Sequence, residues 1–199
     1  MFIFAPVINF IFMNNSILAK NILIHRQIEE IYDECEKHNI KLVLLKGAAL
    51  VELFAEYSFW RDMEDIDVLV NKKDYDKFVN LLKVLGYKNM PFDPNVMYSE
   101  DKPLKIDIFY ELWYLSKKEN IILFNKLQKV GKFYILPPEE MLRHIYYHMY
   151  IEHNYIEEKW LKDIELIKSK FSVEVNFESL FPKCVRSWLN KKIFYKGHI

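Results

Sequence analysis

The chain has 199 residues, 51% of them hydrophobic and 16% aromatic, which is ample for a packed core and excludes a disordered chain. Lys plus Arg and Asp plus Glu both number 28, so the formal net charge is zero and a generally basic, nucleic-acid-coating protein is disfavoured. This length suits one compact domain, or one domain with a helical appendage.

The run Met1 to Met13 is strongly apolar. It lacks a basic n-region and a small-residue cleavage site, so it makes a poor signal peptide. It is also too short to span a bilayer, which takes about 20 apolar residues. It reads as a docking strand, or as an extension upstream of a start at Met13. Ser16 to His38 predicts a helix, with Ser16 as N-cap and Ile24, Ile28, Ile31 and Cys35 near one face. Lys41 to Leu45 predicts a short buried strand ending at Lys46-Gly47, followed by a helix from Ala48 to about Tyr57.

Asp65 to Val70 alternates and then turns fully apolar, as a strand with one functional edge would. Lys73 to Leu85 predicts an amphipathic helix stopped by Gly86. Asn89 to Pro103, with its three prolines, predicts a loop, and Leu104 to Trp113 another strand. Lys132 to Leu136 reads as a short strand. Pro137-Pro138-Glu139-Glu140 opens a helical stretch running to about Lys170. The expectation is an α+β fold: a small mixed sheet flanked by helices over residues 1–136, then a helical region over 137–199.

Two cysteines, Cys35 and Cys184, lie far apart, and neither belongs to a CxxC pair. A zinc ribbon or disulfide framework finds no support. Reduced, buried thiols in a cytoplasmic protein are the expected reading.

The chemistry concentrates on Asp65-Ile66-Asp67. Strand geometry puts both carboxylates on one face, where they repel unless a cation joins them. Magnesium suits such a pair, because Mg2+ takes oxygen ligands and keeps positions open for phosphate oxygens. Taken alone an Asp-x-Asp is a weak signal, and the plainer reading has Asp65 capping a turn and Asp67 exposed at a sheet edge. Asp107 sits in a similar acidic-in-apolar setting, Lys-Ile-Asp-Ile-Phe, and could add a third carboxylate or a general base. Gly47 lets a phosphate approach the backbone, while Lys46 and Arg61 could supply positive charge to it. Taken singly, each of these also fits a turn glycine or a surface cation.

Together these residues resemble a family. Leu44-Leu45-Lys46-Gly47-Ala48-Ala49-Leu50, then Arg61, then Asp65-Ile66-Asp67-Val68-Leu69-Val70, then Leu85-Gly86-Tyr87, look like the poorly characterised bacterial nucleotidyltransferases of the polymerase-beta superfamily. In that family Leu-Lys-Gly stands where better-known members carry Gly-Ser. Ile106-Asp107 matches its acidic strand, and Leu142, His148, His153, Trp160-Leu161 and Asp163 match its helical region. The position two residues after the third acid, often His in the family, is Phe109.

The resemblance implies metal ligands and catalytic carboxylates at Asp65, Asp67 and Asp107. It implies Lys46, Gly47 and Arg61 at the phosphates of a nucleoside triphosphate, ATP before others. It implies magnesium as the cofactor and transfer of a nucleoside monophosphate to an acceptor that is a small molecule, RNA or protein. A nucleotide-binding or protein-interaction module with weakened catalysis, and a toxin-type transferase, are the alternatives.

In the helical region His144 and His148 share a helix face at a spacing that can bind zinc. The stronger expectation is core or hydrogen-bonded histidines beside Tyr146, Tyr147 and Tyr150. Trp160 is expected in the core, and Asp163 as an orienting group for a histidine. No transmembrane span is expected.

Overall fold

The computed structural model describes residues 4–153 and 155–173, with side chains from residue 15 onward. Cys184 and the tail beyond residue 173 lie outside the described residues. The chain divides into two compact units, Met1–Pro137 and Pro138–Ile199.

The first unit is built on one sheet. Helix α1 spans Phe4–Lys37. It starts well before Ser16, which is an interior position rather than an N-cap, and the apolar run from Phe4 is helical rather than a docking strand. Pro6 lies in the first turn, where a missing N–H breaks no helical hydrogen bond. Ile24, Ile28, Ile31 and Cys35 are buried along one face, as their spacing requires. Two polar residues, Asn21 and Gln27, are buried in phase with them.

Strand β1 is Val43–Leu44, and α2 runs from Lys46 to Leu53, followed by a 3-10 turn over Ala55–Phe59. Strand β2 is Asp65–Leu69. A second 3-10 turn, Lys72–Asp74, leads into α3, Tyr75–Val84, which buries Phe78, Leu81 and Leu82. Gly86 then takes a left-handed φ of +89°, which only glycine adopts without strain.

The expected loop at Asn89–Pro103 is partly sheet: β3 (Lys88–Met90) and β4 (Asp93–Tyr98) form an antiparallel pair. The prolines are accommodated because the register breaks between Asn89 and Met90, and because β4 bonds β5 through Val96 and Met97, beyond Pro94. Strand β5 is Lys105–Phe109. Helix α4, Lys117–Lys126, was not anticipated. Its signal was present in the sequence, since Ser116 and Glu119 form a reciprocal capping box. Strands β6 (Gln128–Val130) and β7 (Phe133–Ile135) complete the sheet, whose order is β3-β4-β5-β2-β1-β7-β6. Parallel pairs β2–β5 and β1–β7 stand among antiparallel ones, so the sheet is mixed.

The second unit begins with α5, Pro138–Tyr147. The helical run expected to continue to Lys170 is interrupted by a π-helical turn, His148–His153, before α6, Glu158–Phe171. There the rings of His148, His153 and Tyr155 converge on buried Trp160 at 4.9, 5.3 and 5.5 Å. That ring cluster accompanies the widened turn.

Candidate active site

The parallel pairing of β2 with β5 sets Asp65 beside Lys105, Asp67 beside Asp107 and Leu69 beside Phe109. Residues in register on neighbouring strands point to the same face, so Asp65, Asp67 and Asp107 share one side of the sheet. Ile66, Val68, Ile106 and Ile108 point the other way and are all buried. That apolar layer holds the strands in a register from which the acids cannot slip without turning the core outward.

The acids feel one another. Burial first, and then the charge of Asp67, raise the pKa of Asp65, while Lys46 and Lys105 work against the rise. Asp107 is pushed up to about 7, by burial first and then by Asp67. Lys105 Nζ lies 3.8 Å from Asp65 Oδ2.

Lys46 stands at the end of β1, where Leu45 N–H donates to the Asp67 carbonyl at 3.0 Å. Its φ is +44°, a left-handed conformation that a lysine holds only at some cost. In this setting Lys46 Nζ donates to Asp67 Oδ1 at 2.7 Å, with both side chains nearly out of solvent (8% and 7% exposed). The same ammonium lies 5.4 Å from the centre of the Phe109 ring. Phe109, noted in the sequence only as a departure from histidine, therefore serves as an aromatic face for this cation.

Gly47 lies in the first turn of α2, where the N-cap residue Leu45 gives no side-chain cap. A Cβ on Gly47 would lie 3.1 Å from both Cζ and Nη2 of Arg61, so glycine is what lets the guanidinium lie against this turn. Arg61 is buried, and its Nη1 donates to the Asp62 carbonyl. Asn21 on α1 donates to the carbonyls of Ser58 and Arg61 at 2.7 and 2.9 Å, which anchors the segment carrying Arg61. Gln27 does the same for β5: its Nε2 donates to the Leu104 carbonyl and its Oε1 accepts from Leu104 N–H. Sequence reasoning missed both anchors. Their only signal was that two polar residues fall on the apolar face of α1.

The six residues singled out in the sequence thus fall into two neighbouring sets in this unit. Asp65, Asp67, Asp107 and Lys46 meet along β2 and β5, while Gly47 and Arg61 meet at the start of α2. Among the described residues no group of three His, Cys, Asp or Glu could hold a metal ion as placed. Asp67 already has a cation, the Lys46 ammonium. The donor set is nevertheless the kind a hard divalent cation takes: carboxylate oxygens, crowded, with the pKa values of Asp65 and Asp107 raised by burial and then by the charge of Asp67.

In the second unit His144 is buried. His148 Nδ1 pairs with Glu152 Oε2 at 2.9 Å. Asp163 is fully buried. No described helix is long and apolar enough to cross a membrane.

Over residues 12–198 the sequence matches the family described as uncharacterised nucleotidyltransferase. No curated protein matches it. Among solved structures, the fold is similar to the crystal structure of ANT(2")-Ia in complex with adenylyl-2"-tobramycin (TM-score 0.56, 13% identity, 84% of this chain and 97% of that one). It is also similar to the solution structure of the antibiotic-resistance factor ANT(2'')-Ia (TM-score 0.53, 14% identity, 89% and 94%). A third similar fold is the Megavirus polyadenylate synthase (TM-score 0.51, 14% identity), of which the match spans 37% and of this chain 86%.

Proposed function

The chain belongs to the family of uncharacterised nucleotidyltransferases, and on that premise we propose that it transfers a nucleoside monophosphate from a nucleoside triphosphate, ATP before others, to an acceptor oxygen. The observation that carries this reading is the register of Asp67 with Asp107 on adjacent parallel strands, with Asp65 two residues before Asp67 on the same face.

Asp65, Asp67 and Asp107 would hold Mg2+, which when bound neutralises the triphosphate and supplies electrophilic help at phosphorus. The first turn of α2 at Gly47, together with Arg61, would receive phosphate oxygens. Lys46 balances the Asp67 charge and would turn to a phosphate oxygen once Asp67 has another cation. The acceptor oxygen bonds to the α-phosphorus, the bond to the bridging oxygen breaks, and pyrophosphate leaves. Where the acceptor is a hydroxyl, its proton would pass to the Asp107 carboxylate as general base. The solved ANT(2")-Ia complex with adenylyl-2"-tobramycin favours adenylate as the group moved and a small hydroxylated molecule as the acceptor class.

The test uses ATP labelled at the α-phosphate, Mg2+ and a cell lysate. Label should appear in an acceptor with the wild-type chain and be lost from an Asp65→Asn/Asp67→Asn double variant. Equal labelling by that variant refutes the assignment.

The hold of Lys46 on Asp67 favours a second reading, a nucleotide-binding module that has lost turnover. Calorimetry separates the two, because nucleotide binding without any labelled product selects the module.

A further inference from the structure

Beyond the carboxyl ends of β2 and β5, past Leu69 and Phe109, lies a cavity of about 360 Å³, a size ordinary for small-molecule sites. It shares no residue with the carboxylate set. Its nearest residue on the β2 side, Asn71, is four positions past Asp67, about 13 Å along an extended chain.

Its lining includes the apolar side chains of Tyr110, Ile121 and Phe124 and the cations Lys72, Lys73 and Lys117. Glu111 is the single acid in the lining, and Lys72 answers it at 3.5 Å while lying 4.8 Å over the Tyr110 ring. Lys73 and Lys117 are exposed and have no carboxylate partner among the described residues. The lining therefore has three positive charges against one negative. A phosphate monoester, at about −1.5 to −2 near neutral pH, matches that excess.

The walls are also built before any ligand arrives. Asn71 Oδ1 accepts from Lys73 N–H and fixes the turn that presents Lys72 and Lys73. The Ser116–Glu119 capping box fixes the start of α4, where Lys117 sits. Buried Asn120 accepts from Leu112 N–H and donates to the carbonyls of Leu112, Leu115 and Ser116, tying the segment after β5 to α4. Such preorganisation lowers the ordering cost of binding.

We propose that this cavity is a second ligand site, taking an organic phosphate of nucleoside-monophosphate size, with its phosphate on Lys73 and Lys117 and its flat body against Phe124, Ile121 and Tyr110. The site is independent of the transferase reading and needs no divalent metal.

The experiment is calorimetry in metal-free buffer with AMP, adenosine and inorganic phosphate as probes. AMP should bind at one site, at least about tenfold tighter than adenosine or phosphate alone, the factor that about 1.4 kcal/mol supplies. The double variant Lys73→Glu/Lys117→Glu should weaken AMP by about tenfold or more, and the neutral Lys73→Gln/Lys117→Gln by less, as charge reversal at two contacts requires. The Asp65→Asn/Asp67→Asn variant should bind AMP as the wild type does. AMP that fails to bind, binds equally to the charge-reversed variant, or is lost with the aspartates overturns the proposal. Inorganic phosphate binding as tightly as AMP overturns the assigned organic body. The four lysine substitutions fall at exposed positions, and an unchanged thermal midpoint confirms that the variants are folded.

Discussion

The Lys46 ammonium sits 2.7 Å from Oδ1 of Asp67, inside a site where both side chains are almost sealed from solvent. A buried ion pair adds little net stability, but removing one partner strands the other charge. Lys46→Ala should therefore destabilise the fold by about 3 kcal/mol. Lys46→Gly removes the same charge but relieves the left-handed strain at φ +44°, so it should lose about 1 kcal/mol less. Denaturant melts of both variants measure the difference, and equal losses would contradict the strain.

Asp107 provides the pH test. Its folded pKa, about 7, lies above the ordinary 3.8, so the folded chain holds a proton that the unfolded chain has released. This group's contribution is thus largest at low pH and falls away as pH rises through 7. In metal-free buffer Asp107→Asn should stabilise the chain at pH 8 by about 2 kcal/mol, a figure already reduced for its partial exposure, and should do little at pH 4. Melting curves at the two pH values check this.

Gly47→Ala tests the approach of Arg61. The added methyl would sit 3.1 Å from the guanidinium carbon, so the side chain must move. Triphosphate affinity should fall about tenfold, the scale of one displaced charge-assisted contact, while the far-ultraviolet circular dichroism stays the same. Unchanged affinity would remove Arg61 from the phosphate site.

Gln27→Ala leaves the N–H and C=O of Leu104 without their buried partner at the entry to β5. A loss of about 2 kcal/mol is expected from stranding such groups. Labelling activity should fall by more than in Gln27→Glu, which keeps an acceptor for Leu104 N–H.

Cys35 is fully buried, and burial raises its thiol to about 12. In the native chain it should resist alkylation at pH 8, and it should react once denaturant opens the fold. Mass spectrometry before and after denaturation reads this directly.

The amino-acid sequence by itself determined the residues of chemical interest and the strands that carry them. Asp65 to Leu69 alternates as a strand must, and Lys105 to Phe109 repeats the pattern, so both could be read locally. Gly86 and the amphipathic α3 were legible for the same reason. The hairpin β3–β4 was not, because its stability comes from pairing with β5, while its prolines argue locally for a loop. Helix α4 carried a readable cap, but its short, mostly polar pattern gave no strong period.

Only the tertiary structure decided who faces whom. Periodicity says that Asp67 and Asp107 each point to one side of a strand. It cannot say that β5 lies parallel to β2 in a register that sets them side by side. Nor can it say that Lys46, displaced by a strained backbone, reaches back to Asp67, or that Asn21 and Gln27 anchor loops far along the chain. Those relationships join residues tens of positions apart, and they exist only when burial of the apolar face has fixed the strands against one another.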